Sequence, residues 1–357
     1  MSVHIPKFPS VTPSFHSILK HRIEEYFQKK GISSHGNFQL FFKAALLVSL
    51  FVVLYIHLVF FTPHWYFALP EAIILGFVIS FIGFNVMHDG SHGSFSNYKW
   101  LNRIAAYTVN VLGASSFMWN IKHNIIHHTY TNIDGLDDDI NAGILLRFNK
   151  YQKYYKIHRF QHIYVWFLYS LLYMFWVFYT DYKKYFLRKI GIIPLKKLSI
   201  LDHILFWGFK ALNLFLFIAL PIYTVGFTWW LLGFLIVNLL AGFVLSIVFQ
   251  LAHTVSLTSF PNPTTTNGKM EDEWAINQIK TTADFAPNSK LISWCVGGLN
   301  FQVEHHLFPK ISHVHYPAIS KIISATCKEF AIPYSVFPKM RHAVASHVSH
   351  LRAMGKA

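Results

Sequence analysis

A chain of 357 residues that is 53% hydrophobic, 18% aromatic and only 13% charged lacks the usage of a soluble domain and reads as a membrane protein. Its 31 Lys and Arg outnumber 16 Asp and Glu, with 22 His counted neutral. A basic face therefore meets anionic lipid headgroups, a phosphorylated substrate or an acidic protein, and no nucleic-acid partner is expected. Two cysteines, Cys295 and Cys327, are too few for a disulfide framework and match no metal spacing, so they are read as packing residues in a reducing compartment.

Residues 1–39 lack a positive stretch followed by an apolar one, so no cleaved signal is predicted and insertion falls to internal segments. Leu40 to Phe61 and Trp65 to Met87 each reach the roughly 20 apolar residues that a crossing helix needs, with Thr62-Pro63-His64 as the turn. Residues 88–203 read as cytosolic or interfacial. There Leu101 to Met118 carries Asn102, Arg103 and Asn110 and is expected to be an in-plane helix. Ile163 to Thr180 is apolar but flanked by Lys150, Lys153, Lys156 and Arg159 before it and Lys183, Lys184, Arg188 and Lys189 after it. Basic residues stay on the non-translocated side, so this run is expected to lie in the interface or fold back.

Ile204 to Val225 and Trp229 to Gln250 make a second hairpin, turning around Gly226 and Thr228. Residues 251–357 return to the first side, and the polar stretch Pro261 to Glu273 is expected to be a mobile loop near the substrate headgroup. Neither hairpin turn contains Lys or Arg, so four spans put the basic residues on one face, with Lys210 snorkelling back from near a helix end. The expected fold is an all-α integral membrane protein. It has four transmembrane helices in two hairpins (residues 40–87 and 204–250), in-plane helices and a cytosolic helical cap carrying a di-metal site, both termini being cytosolic.

The histidines fall on this map in clusters. His88 and His92 in MHDGSHGSF follow the second span, and His123, His127 and His128 in WNIKHNIIHHTYTN follow the in-plane run. His253 in FQLAHTV follows the fourth span, and His305 and His306 lie in NFQVEHHLFP. All eight reach one edge of the membrane, although the spans were placed from apolar length and charge alone. Residues i and i+4 share a helix face, so His88 with His92, and His123 with His127, each present two imidazoles to one centre. His128 projects about 100 degrees further round, so adjacent histidines reach different metals. The same holds for His305 and His306, with Gln302 as a weaker or water-mediated ligand. Eight imidazoles exceed the three or four protein ligands of one zinc ion, so two ions are expected. Imidazole suits zinc, copper, iron and nickel, and oxygen-activating iron fits a membrane edge. Carboxylates nearby, Asp89, Asp134, Asp137, Asp138, Asp139 and Glu304, are expected to accept the other ring N–H and fix each tautomer. His57, His64, His158, His162, His342, His347 and His350 are read as packing residues, and His313 and His315 stay open.

The words NVMHDGSHGSFS, MWNIKHNIIHHTYTNIDG, FQLAHTV, EWAINQIKTTADFAP and GGLNFQVEHHLFP resemble the membrane-bound fatty acid desaturases, over about residues 40 to 340. The likeness is to the acyl-CoA or front-end branch, described as linoleoyl-CoA desaturases, where glutamine replaces the first histidine of the third box as Gln302 does here. The resemblance implies a di-iron centre on His88, His92, His123, His127, His128, His253, His305 and His306, with O2 as co-substrate. It implies a cis double bond in a long-chain acyl substrate, favouring acyl-CoA. The haem motif of a fused cytochrome b5 is missing, so electrons are expected from a separate ferredoxin or cytochrome b5 drawn to the basic face. The compact length resembles bacterial members, which points to the bacterial inner (plasma) membrane with the site cytosolic.

The acyl chain needs an apolar bent tunnel beside the metals, expected around Leu112 to Trp119, with Trp119, Asn120, Lys122, Arg147 and Lys150 at its mouth. Two rivals stay open: a di-iron hydroxylase or monooxygenase of alkyl or lipid substrates, and a membrane metal transporter. A transporter would place ionisable ligands inside its spans, where Glu71 is the main exception.

Overall fold

The computed structural model describes residues 5–263 and 268–356, so residues 264–267 of the polar stretch Pro261 to Glu273 lie outside the described residues. Helix α1 (Phe15–Lys30) is opened by the Ser14 side chain, which accepts the Ser17 N–H, and closed by Gly31 in the left-handed region. Helix α2 (Phe38–Phe61) starts at Asn37, whose side chain accepts the Leu40 N–H. Thr62 at φ 46° turns the chain into α3 (Trp65–His92). Helix α4 (Lys99–Val111) is amphipathic, with Ala105 and Val109 buried and Trp100 and Ile104 exposed. There follow α5 (Lys156–Leu187), α6 (Ile200–Val225) and α7 (Phe227–His253). Helices α2, α3, α5, α6 and α7 are each long and apolar enough to cross a membrane.

Helices cover all four stretches expected to span, and each runs past the expected bounds at one end or both. Helix α3 continues through His92 and α7 through His253, so their histidines ride on the spanning helix itself rather than after it. Helix α7 packs between α3 and α5: Ser246 Oγ donates to the Tyr169 carbonyl at 3.1 Å, and the Phe178 and Phe234 rings meet at 5.9 Å. The apolar run expected over Ile163 to Thr180 is part of the 32-residue α5, because its basic flanks remain helical.

Lys210 does not snorkel. It is 4% exposed, and its ammonium donates at 2.6 Å to the carbonyls of Gly113 and Val177 and lies 3.4 Å from Asp181. Irregular backbone after α4 leaves carbonyls that need a donor away from water, and Lys210 supplies it.

A cap covers the histidine-bearing helix ends. Helices α8 (Trp274–Thr281), α9 (Gln302–Leu307) and α10 (Tyr316–Glu329) share a core with α1 through Leu19, Ile23, Ile279, Ile319 and Ile323. Parallel strands Asp284–Phe285 and Val336–Phe337 lead to α11 (Met340–Met354), which packs on α5 and α7. Gly297, at φ +59°, sits where a Cβ would lie 2.4 Å from the Phe84 carbonyl, so only glycine lets the turn leading to α9 approach α3.

Candidate metal centre

Four pieces of chain build the centre. His88 and His92 come from the last turn of α3, which is preceded by a π-helical stretch, Gly83–Met87. His123 and His127 lie in a second π-helical stretch, Asn120–His127, and His128 opens the short helix after it. An α-helix was expected there. The wider π turn still leaves i and i+4 close to one face, and π segments concentrate at functional sites. His253 ends α7, and His305 and His306 sit on α9.

All eight rings meet. One group contains His88, His92, His123 and His305 and another His127, His253 and His306, while His128 combines with both His305 and His306; within each group the potential ligand atoms lie within 4.8 Å of one another. The His88 and His305 ring centroids are 4.4 Å apart, those of His127 and His253 4.7 Å, and those of His128 and His306 4.4 Å. His305 and His306 fall in different groups, and His128 stands between the two.

The rings have an outside and an inside. Outside, His127 Nδ1 lies 2.9 Å from Asp137 Oδ2, His306 Nδ1 lies 2.8 Å from Gln278 Oε1, and His305 Nδ1 lies 3.2 Å from the Tyr316 hydroxyl. Inside, Nε2 of His88, His92, His123, His127, His128, His305 and His306 is buried without a partner. An orphaned buried nitrogen is costly, and seven gathered into one cluster are what metal ions would satisfy. The donor set therefore fits metal ions bound by neutral imidazole. Burial pushes His128, His305 and His306 well below the usual imidazole range, with neighbouring rings adding to it. Burial also lowers His123, to about 4, against the pull of Asp139. For His127 burial is outweighed by Asp137, and the ring is raised.

The remaining sequence candidates separate. Gln302 is buried beside the second group, its Nε2 2.9 Å from His253 Nε2. Asp89 turns away from the rings to Ser312 and His313, Asp138 pairs with Lys184 at 2.9 Å, and Glu304 accepts from the Tyr334 hydroxyl at 2.7 Å. In the run Asp137-Asp138-Asp139, a tight 3-10 turn points the outer two toward His127 and His123 and the middle one outward. Gln278 and Tyr316 were missed. Gln278 lies 28 residues before His306, in an amphipathic stretch whose buried face is its sole signal, and Tyr316, 11 residues after His305, belongs to no box.

Trp119 stacks on His123 at 4.4 Å and meets His88 and His92 edge-on. Asn120 accepts from Asn124 at 2.6 Å. Lys122 is not a free cation, because it pairs with Asp139. Arg147 has its guanidinium on the carbonyls of Lys150, Gln152, Met354 and Lys356, fastening the C-terminal helix to the loop before α5. The histidines read as packing residues include His347, between Tyr169 and Thr254, and His350, on the Phe148 carbonyl. His313 joins Lys43 and Asp89.

Apolar helices that gather buried imidazoles at their ends define a class, the histidine-rich enzymes consistent with a membrane setting. Residues 63–338 match the profile of that class described as fatty acid desaturase. The chain is 37% identical over 342 residues to the sn-1 linoleoyl-lipid 6-desaturase of Arthrospira platensis, covering 95% of this chain and 92% of the relative. It is 36% identical to the sn-1 linoleoyl-lipid 6-desaturase of Synechocystis sp., covering 96% of both. It is 35% identical to the acyl-lipid (8-3)-desaturase of Physcomitrium patens, covering 96% of this chain and 72% of the relative. The chain belongs to the fatty acid desaturase family and is an oxidoreductase.

Proposed function

We propose that this desaturase uses O2 and a pair of irons on the eight histidines to place a cis double bond near the carboxyl end of a long-chain acyl group carried on a glycerolipid. The convergence of eight imidazoles, seven of them with a buried and unpartnered Nε2, carries the reading. The sequence alone favoured acyl-CoA as the carrier. Lipid-linked acyl groups are preferred here because the similar relatives are named as lipid desaturases and because Lys122 and Arg147, the cations expected at the tunnel mouth, are occupied by Asp139 and by backbone carbonyls.

The overall reaction joins one O2, two electrons and two protons with a CH2–CH2 pair and yields CH=CH and two waters. Bound irons supply the reduction of O2 and the oxidising power to take both hydrogens. The chain's own residues do the rest. Asp137, Gln278 and Tyr316 fix ring tautomers from outside, so each Nε2 lone pair faces inward. Trp119 walls the first group, and Phe249, 4.6 Å from the His253 ring and 5.2 Å from that of His127, walls the second, keeping water from the reacting carbons. Electrons come from a separate ferredoxin or cytochrome b5 attracted by the basic face.

Four spans with both termini cytosolic, in the bacterial inner membrane, remain the favoured topology, α5 lying in plane. At the start of α5, His158 Nε2 is 2.9 Å from the Ile144 carbonyl, and at its end Lys184 Nζ is 2.9 Å from Asp138. Those positions on the helix are about 39 Å apart at 1.5 Å per residue, and residues 138–144, which begin with the 3-10 turn Asp138–Ile140, connect the two through these side-chain contacts. A crossing α5 would drag Asp138, Asp139 and Asn141 through hydrocarbon, which is expensive.

Expression in a host of known lipid composition, followed by mass-spectrometric location of new double bonds, tests the reading. An alkene on the carboxyl side of an existing double bond in glycerolipids is expected. Hydroxylated product without alkene overturns the desaturation step, and alkene in the acyl-CoA pool alone overturns the carrier.

A further inference from the structure

A polar cavity of about 450 Å³ lies against the first two histidine boxes, on the side away from the rings. Its wall takes Arg103 and Tyr107 from α4, Asp202 from α6, Ser116 and Asn120 from the stretch leading to His123, and Ser91 from between His88 and His92. We infer that this cavity binds the headgroup of the lipid whose acyl chain is desaturated, and that it selects compact headgroups of zero net charge. The inference rests on the lipid-linked reading above and names where the carrier sits.

Charge decides the class of ligand. Arg103 and Asp202 are the charged side chains of the wall among the described residues. Asp202 is held by Ser199, whose N–H and hydroxyl both donate to its Oδ2, at 2.8 and 2.7 Å. Arg103 has no ion pair or hydrogen bond within the described residues and is exposed, so its guanidinium is free to meet an acceptor at the cavity. One positive and one negative group suit a headgroup that is zwitterionic or carries neutral hydroxyls. The several phosphates of coenzyme A call for several cations, and the wall offers one. The volume is that of an ordinary small-ligand site.

Position decides access and outcome. The helices on either side turn apolar residues outward, Trp100 and Ile104 on α4 and Ile200, Leu201 and Ile204 on α6. This is the pattern of helices lying at a lipid interface, and a headgroup enters sideways from that leaflet. Ser91 stands between two candidate ligands, and Asn120 is one turn before His123, so a headgroup seated here leaves a short length of chain before the metals. Desaturation close to the carboxyl end follows from that short reach.

The test uses purified full-length protein incubated with vesicles containing equal parts of a neutral glycosyl diacylglycerol, phosphatidylcholine and phosphatidylglycerol, with acyl-CoA in a parallel arm, and retained ligand counted by mass spectrometry. Wild type is expected to retain the two zero-charge lipids about tenfold over phosphatidylglycerol and acyl-CoA, and the glycosyl and choline arms distinguish which headgroup is the source. Ser116→Trp, which fills the cavity, and Arg103→Glu, on an exposed position that leaves the fold alone, are expected to lose that retention about tenfold. Unchanged selectivity in Arg103→Glu overturns the inference, as does preference for acyl-CoA or phosphatidylglycerol. Retention is read without turnover, so a selective but inactive protein overturns the desaturation reading alone.

Discussion

At the residue scale the centre depends on rings that stay neutral. Imidazole ligates only when unprotonated, and burial holds His123, His128, His305 and His306 below their ordinary value of 6.5. Depressed imidazoles give stability that is complete above that value and lost as pH falls. Melting temperature and bound metal are therefore expected to decline together from pH 6.5 toward about 4, where His123 titrates; metal content that stays flat to pH 4 contradicts this. His127 behaves oppositely, being raised by Asp137. Asp137→Asn is expected to weaken metal binding about 10- to 100-fold, measured by chelator competition, without unfolding. His127→Ala should lose bound metal, whereas His342→Ala, on an exposed turn of α11, should not. The eight converging histidines were legible because box spacing is local. Their outer partners were not: the choice among Asp137, Asp138 and Asp139 depends on a 3-10 turn, and Gln278 and Tyr316 arrive through tertiary packing.

At the element scale, the long apolar helices were legible from apolar length, while their extensions through His92 and His253 were not, since buried polar turns such as His88–His92 have no apolar signature. Helix α5 is the element on which length and charge disagree. Single cysteines placed at Lys153 and Lys189 are expected to react with a membrane-impermeant thiol reagent from the same side, and labelling from opposite sides would make α5 a fifth span. Gly90 lies where a Cβ would come 2.6 Å from Ala105 Cβ and 2.7 Å from the Ala106 nitrogen. Gly90→Val therefore pushes α4 from α3 at a cost of about 1–3 kcal/mol, read as a lowered melting temperature, while an unchanged melt would mean that the two helices do not pack so closely.

At the scale of the whole molecule, helices that meet lipid on one side hold a dry imidazole cluster at their ends, and the cap of α8 to α11 closes it. The fold explains why residues from 88 to 306 come together, because the ends of α3 and α7 meet the π-helical stretch Asn120–His127 with His128 after it and the cap helix α9. The most direct test is the metal content and an iron anomalous map of protein purified under iron-replete conditions. The account predicts two irons per chain, one among His88, His92, His123 and His305 and the other among His127, His253 and His306. A single ion, or two sites that leave His253 or His305 without metal contact, contradicts it.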